Sequence, residues 1–396
     1  MSTPADAAGW IVFSGLDWWC HPHGHSDFQL AQGLAATGPV LVVNSLAMRM
    51  PLPGRTSRPL RRILRKARAI ARALRRMRRS GLRRPVAELP DFHVLSPVLL
   101  PWYGSALGRR INARLVRAQV AWAARRVGLT VPNVMVTVPT AWDVATALPH
   151  GRLVVNRCDQ YSAFAESNGD VIRDLEVRML RGADTVLYVS HELMHDEAAL
   201  VGGQAVFLDH GVDLAHFDRH DDGRVPADLA AIPGPRVGFY GMIDDYTVDL
   251  DLLDAVAAAL PEVSLVLIGD TTQPLTNLLR RRNVHWLGAR PYADIPRYAA
   301  GFDVALMPWL DNDWIRFCNP IKMKEYLALG LPVVSTWFPE VERYRDVVRV
   351  ARDRGAFVDQ IRAALADGAD ADAVRATVDD ASWSRRVDQL RDLVVA

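Results

Sequence analysis

Short runs of Val, Leu and Ile recur from one end of the chain to the other, separated by stretches with helical spacing of apolar residues. Candidate strands lie at Trp10–Ser14, Val40–Val43, Phe92–Ser96, Asn133–Val138, Leu153–Arg157, Thr185–Val189 and Val206–Asp209. They resume at Arg236–Tyr240, Leu265–Ile268, Val284–Leu287, Val304–Met307, Val333–Ser335 and Val347–Val350. These runs do not alternate with polar residues, which is how strands buried on both faces of a parallel sheet read. Arg109 to Val127 shows the other pattern, with Ile111, Leu115, Val116, Val120, Ala123 and Val127 on one helical stripe. Strand, helix, strand over two blocks predicts an α/β chain of two doubly wound domains.

Between the blocks, residues 218–235 (DRHDDGRVPADLAAIPGP) are polar at first and rich in Pro and Gly at the end, as a linker would be. The first domain is therefore expected over residues 1–217 and the second over 236–379. A last helix in 380–396 would carry Trp383, Val387, Leu390, Leu393 and Val394. The length of 396 residues fits two such domains. No apolar run approaches the roughly 18 residues of a membrane span. Cys20, Cys158 and Cys318 are scattered without metal-ligand spacing, so a reducing compartment without disulfides is expected. The first nine residues lack a signal-peptide pattern. A soluble or peripheral cytoplasmic protein is the resulting expectation.

The net charge of +2 conceals a split. Residues 1–158 hold 23 Lys and Arg against 6 Asp and Glu, whereas 159–396 hold 24 against 39. Such asymmetry points to an anionic partner for the first half: a membrane surface, a phosphorylated substrate or nucleic acid.

Ligands of open α/β sheets bind beyond the carboxyl ends of the strands. The segment Asn319 to Thr336 (NPIKMKEYLALGLPVVST) reads as a loop, a short amphipathic helix, a Gly-Leu-Pro stop and a buried strand. Free N–H groups at the helix start attract phosphate, and Lys322 adds a charge. Glu325, three residues on and on the same face, can accept two hydroxyls of a ribose. The plain alternative is a surface Lys–Glu pair on an ordinary helix.

Asn319-Pro320, Lys322, Glu325 to Ala328, Gly330 and Pro332 to Thr336 resemble the donor-binding segment of GT-B glycosyltransferases. The pattern is similar to the branch of teichuronic-acid and xanthan-type polysaccharide transferases. His210-Gly211-Val212-Asp213 with Phe217, Phe239-Tyr240-Gly241 and Val284 to Gly288 follow in the family's order. The resemblance implies two Rossmann-like domains facing an interdomain cleft, with acceptor bound by the first and nucleotide sugar by the second. It implies a UDP-, GDP- or dTDP-sugar donor and no required metal. The donor diphosphate would meet Lys322 and the Asn319, Pro320 and Ile321 helix start. The ribose would meet Glu325, and the base would lie against Gly241, Met242, Pro291 and Tyr292. Phe317 stands where the broad retaining branch has a glutamate, so inversion is expected. His210 replaces the usual asparagine of its motif.

In the first domain, CHPHGHSDFQLAQGLAATG follows the first strand. Resembling enzymes turn this loop toward the reacting sugar, which makes His25 a candidate; otherwise it is a tight turn with exposed histidines. Asp159, directly after Leu153–Arg157, is the leading candidate for the base that takes the acceptor proton, and Glu166 is a second. Asp159 also suits a turn or cap, and Asp143 reads as an N-cap. Asp244-Asp245 and Asp311-Asn312-Asp313 superficially suggest a metal motif.

Arg55 to Pro85 holds 14 Lys and Arg and no acid, with Leu60, Ile63, Leu64, Ala67, Ile70, Ala71, Leu74 and Met77 at helical spacing. A cationic amphipathic helix of this kind fits an anionic membrane surface, at the inner face of a bacterial membrane. Packing on the first domain is the alternative. Between Arg55 and Arg84 there is no Phe, Tyr, Trp, Asn or Gln, which counts against nucleic acid. The expected activity is sugar transfer to a hydroxyl of a lipid-linked or cell-surface polysaccharide acceptor. A small-molecule aglycone, or a sugar-nucleotide epimerase of the same fold, is the rival reading.

Overall fold

The computed structural model describes residues 9–18, 25–46, 82, 85–99, 106–163, 169–218 and 225–395. The chain divides into two compact units, residues 1–209 with 386–396, and residues 210–385.

The first unit holds seven strands: β1 (Trp10–Phe13), β2 (Val40–Val43), β3 (Phe92–Leu95), β4 (Asn133–Val136), β5 (Leu153–Arg157), β6 (Thr185–Tyr188) and β7 (Ala205–Phe207). They are all parallel, in the order β3-β2-β1-β4-β5-β6-β7. Ile11 to Phe13, Val40 to Val43 and Val134 to Val136 are buried without a break. Burial on both faces explains why these runs carry no polar alternation. The connecting helices include α1 (Ser26–Ala35), α2 (Ala106–Arg126) and α3 (Gly169–Gly182). Helix α2 begins ahead of the stripe read from Arg109 and ends one residue before Val127.

The second unit holds β8 (Arg236–Tyr240), β9 (Ser264–Ile268), β10 (Val284–Gly288), β11 (Val304–Met307), β12 (Val333–Thr336) and β13 (Val348–Ala351). They form a parallel sheet in the order β10-β9-β8-β11-β12-β13. Its two faces have separate cores. Leu265, Leu267, Val304, Leu306 and Val334 point to one, while Val266, Ile268, Ala305, Met307 and Val333 point to the other. Successive strand residues face opposite sides, so both sets must be apolar when helices cover both faces. These helices include α4 (Leu250–Ala259), α5 (Ile321–Ala328) and α6 (Arg354–Asp367), and α7 (Trp383–Val395) follows as the last helix of the chain.

All thirteen expected strands are present, shifted by a residue or two at most. In each sheet the order reverses at the first strand, beside β4 in one unit and β11 in the other. These are the positions where doubly wound sheets bind ligands.

The units divide at Asp209, ahead of the expected linker. Packing is the reason. The Val212 N–H donates to Ala381 O at 2.7 Å, and Phe217 is fully buried in the second core. Pro226 to Pro235 is likewise no free linker, since Leu229 and Ile232 are buried in that core. Residues 219–224 lie outside the described residues. The last helix is expected from sequence as a separate tail, but from Arg386 onward it belongs to the first unit, where a Cβ on Gly33 would collide with Val387. Among the described residues no helix is long and apolar enough to cross a membrane.

Leu390 is fully buried at the end of the chain. Leu390→Ala should therefore destabilise the first unit by about 2–5 kcal/mol. Hydrogen exchange should show the lost protection in β1, β2 and α1 while β8 to β13 keep theirs.

Candidate functional site

At the carboxyl end of the first sheet, three strands converge on one carboxylate. Asp27, in the first turn of α1, is fully buried. Its Oδ2 accepts from Ser14 Oγ at 3.0 Å and from the Gly15 N–H at 2.9 Å, just past β1. Its Oδ1 accepts from Thr137 Oγ1 at 2.6 Å, past β4, and from Asn156 Nδ2 at 2.8 Å, on β5. The negative charge also sits at a helix N-terminus, where the macrodipole favours it. Four donors leave this carboxylate no free direction for a substrate.

His25 is the N-cap of α1, and its Nδ1 accepts from the Asp27 N–H at 3.4 Å. The same nitrogen lies 3.4 Å from Asp27 Oδ2, with the ring about one-fifth exposed. His25 is thus oriented by the helix start. His21, His23 and Gly24 lie outside the described residues, as does Glu166.

Asp159 stands two residues past the end of β5, held from behind. Arg157 is almost completely buried. Its Nη1 donates to Asp159 O at 2.8 Å and to Glu176 Oε1 at 2.5 Å, and its Nε and Nη2 bind Glu197 at 3.1 and 2.6 Å. Tyr188 Oη adds a bond to Glu197 at 2.8 Å, and the Ser162 N–H one to Glu176 at 3.3 Å. A buried cation flanked by two carboxylates is a rigid brace, and it fixes the turn carrying Asp159.

Among the described residues no hydrogen-bond donor engages the Asp159 carboxylate. Burial pushes its pKa up to about 6; His25 and Arg157 pull it back, and Asp27 pushes it further up. Relative to an unfolded carboxyl, this group's contribution to stability is fully present below about pH 4 and is lost as pH rises through about 6. Burial, with the charges of Asp27 and Asp159, also raises the neighbouring Cys158 thiol, whose Sγ lies 3.5 Å from Ser26 Oγ. Asp143 is not a cap: Ala141 occupies that position, and Asp143 pairs with Arg178.

The second unit presents its own groups at its carboxyl end. Gly241 follows β8 with φ +138°, and Gly269 follows β9 with φ +145°. A Cβ on Gly269 would strike Gly241 O, and one on Gly241 would strike Lys322 Nζ. Glycine is required where the backbones cross over the lysine. Lys322 lies on the first turn of α5, whose N-cap, Pro320, offers no side-chain cap. Its ammonium sits 4.6 Å from the Phe239 ring centroid. Among the described residues it forms no ion pair or hydrogen bond. Burial lowers its pKa to about 8, against the opposing pull of Glu325, Asp244 and Cys318.

Glu325 is buried, and it is already engaged. Its Oε2 accepts from Tyr240 Oη at 2.6 Å and its Oε1 from Tyr292 Oη at 3.0 Å. Burial raises its pKa, and the two phenols work against that. The Tyr292 ring stacks on His216 at 4.9 Å, whose Nε2 lies 3.1 Å from Tyr292 O. Pro291 caps the short turn that begins with Tyr292, and Met242 is exposed beside Gly241. The structure thus brings Gly241, Tyr292, Lys322 and Glu325 together. It gives Asn319 a different part: its Oδ1 accepts from the buried Lys324 at 3.0 Å.

The acidic runs serve the backbone. Asp244 accepts from the Thr247 N–H and hydroxyl at 2.7 and 2.6 Å, and Asn312 caps the helix Asp313–Arg316. Asp27, the Arg157 brace and the Tyr240 bond to Glu325 do not stand out in the sequence. Asp27 had one signal, an acid at the start of a helix directly after the first strand.

Residues 234–367 match the family model for glycosyl transferases group 1. The putative teichuronic acid biosynthesis glycosyltransferase TuaH of Bacillus subtilis (strain 168) is 27% identical over 188 residues, 46% of this chain and 47% of the relative. The match thus spans about half the length of that protein. Among solved structures, a glycosyltransferase from Rickettsia africae ESF-5 superposes with TM-score 0.68 at 12% identity, covering 98% of both chains. HepE of Anabaena, in complex with UDP and glucose, gives TM-score 0.65 at 15% identity over 98% of this chain and 100% of the other. The architecture is GT-B, two Rossmann-like domains, and the second unit carries a group 1 glycosyltransferase domain.

Removing the Asp27 carboxylate would orphan four donors at three strand ends. Asp27→Ala should lose at least about 2 kcal/mol of stability, since each unsatisfied buried group costs about 1–3 kcal/mol. Denaturant melts check this; Asp27→Asn, which keeps part of the acceptor set, should lose less.

Proposed function

We propose that this GT-B chain is a glycosyltransferase moving a sugar from a nucleotide-sugar donor to a hydroxyl of a lipid-linked or cell-surface polysaccharide acceptor, with inversion. The unpaired Lys322 ammonium beneath the Gly241 crossing, inside the group 1 domain, carries this reading. A cation with no ion pair among the described residues, at an uncapped helix start on the ligand side of a doubly wound sheet, suits a diphosphate. HepE was solved with UDP and with UDP-glucose, which supports the same donor class here.

On this reading Lys322 and the first N–H groups of α5 receive the negative charge that develops on the departing nucleoside diphosphate. Glu325 takes the ribose hydroxyls, which requires the Tyr240 and Tyr292 phenols to share or yield its oxygens. Asp159 accepts the proton of the acceptor hydroxyl as its oxygen attacks the anomeric carbon. A carboxylate with a pKa raised to about 6 is a stronger base than an ordinary one and is still ionised at neutral pH. Asp27 cannot take that part, because its lone pairs are spent on the fold. Similarity to TuaH, named for teichuronic acid biosynthesis, supports a polysaccharide acceptor.

The basic segment Arg55 to Pro85 lies outside the described residues except for Leu82 and Pro85. We propose that it holds the protein on the anionic inner face of the membrane, at roughly 1 kcal/mol per basic residue near the surface.

Lys322→Ala should weaken nucleoside diphosphate binding on the order of 10- to 100-fold, the loss of a charge-assisted bond of about 1.5–3 kcal/mol. In the wild type, the ammonium deprotonates above about pH 8 in the free protein. Affinity should then fall with rising pH, approaching about tenfold per unit, and Lys322→Ala should lack this dependence. Calorimetry at pH 7 and 9 checks both; equal affinity in wild type and variant removes the donor site.

Changing six arginines between Arg61 and Arg79 to Gln should release the protein from anionic vesicles and leave nucleotide affinity intact. Equal sedimentation of wild type and variant removes the docking role.

A further inference from the structure

A cavity of about 50 Å³ lies within the first unit, between α2, the short helix Trp142–Ala145 and α3. Leu46, Val116, Val144, Ile172 and Leu175 give it a hydrocarbon wall. Two charged residues, Arg109 and Asp143, also line it. Asp143 is neutralised by Arg178, whereas Arg109 has no ion-pair partner among the described residues. Helix α2 carries six arginines and no acid, while α3 balances three acids with three arginines. An open cavity wall of this kind calls for an anion attached to something apolar.

Its place in the fold is that of a ligand site. Leu46 follows β2, Thr140 and Val144 follow β4, and Ile172 and Leu175 occupy the first turns of α3, the helix after β5. The cavity therefore lies on the carboxyl-end side of the sheet, the side that carries Asp27 and Asp159. Its walls are pinned where Thr140 Oγ1 donates to Leu46 O at 2.8 Å and where Asp143 pairs with Arg178. A water needs roughly 10–15 Å³ by the same measure, so the space admits about four waters or a short run of methylenes, and no sugar ring. The hydrocarbon wall favours methylenes, while Arg109, Asn112 and Thr140 give the cavity a polar side.

We propose that this cavity binds the alkyl or isoprenyl chain of a single-chain lipid phosphate, with Arg109 meeting the phosphate. The inference rests on the reading of a lipid-linked acceptor and adds the residues that recognise its lipid.

The test is binding of dodecyl phosphate below its micellar concentration, with dodecyl maltoside and inorganic phosphate alongside. Dodecyl phosphate should bind at least tenfold more tightly than the neutral maltoside, and inorganic phosphate should bind at least a hundredfold more weakly. Ile172→Trp, which fills the cavity, should cut dodecyl phosphate affinity tenfold or more with UDP affinity unchanged. Val144→Leu, a smaller addition, serves if the tryptophan disturbs folding, and should cut it severalfold. Arg109→Gln should bring the phosphate down to the level of the maltoside.

Unchanged binding in both cavity-filling variants, or equal binding of inorganic phosphate, overturns the inference. Failure of the two readings is separable. A wild type that binds UDP and transfers sugar but ignores dodecyl phosphate overturns the lipid cavity alone. One that binds dodecyl phosphate but no nucleotide overturns the donor reading instead.

Discussion

The buried carboxylate of Asp27 holds the first unit's ligand side together. A full charge with no exposure is tolerable only where donors surround it, and here they come from β5 and from the residues just past β1 and β4. The donors are far apart in the chain, so satisfying one carboxylate also sets the relative heights of three strand ends. This constraint divides labour between two acids. Asp27 is saturated and fixed; Asp159 is left without a donor among the described residues and is raised by burial. The Arg157 brace adds the remaining element, because the guanidinium that binds Glu176 and Glu197 also grips the Asp159 carbonyl.

The second unit solves a related problem with glycine and aromatic rings. Lys322 can approach the end of β8 because Gly241 has no side chain to block it, and Gly269 in turn leaves room for the Gly241 backbone. Its charge rests on the Phe239 ring instead of on a carboxylate, which keeps it available for an anion. Glu325 is restrained by two phenols, so its oxygens are held in position without being left bare in an apolar site. Both units thus fix one group firmly and leave a neighbour uncommitted.

The strands were legible because burial on both faces writes itself into sequence as unbroken apolar runs. The donor segment was legible for a local reason: Lys322 and Glu325 lie on one turn of one helix. Asp27 was not, since its partners Thr137 and Asn156 are 110 and 129 residues away. Asn319 reads as a ligand group, yet its oxygen serves Lys324, two positions along the helix from Lys322 and fully buried. Composition alone does not tell which of two lysines faces a ligand. The unit boundary is misplaced in sequence for a similar reason. Residues 225–235 have a linker's composition, but Leu229 and Ile232 are core.

The central claim is that Asp159 acts as a base made available by the saturation of Asp27. The pH dependence of kcat/KM for sugar transfer, in wild type and Asp159→Asn, tests it most directly. For the wild type, kcat/KM should fall about tenfold per pH unit below about pH 6, the limb of a single essential base in the free protein. Asp159→Asn should be reduced by about 100-fold or more at pH 7.5 and should lose that limb. A wild-type profile flat down to pH 5, or a variant that keeps both its rate and the acid limb, would contradict the assignment.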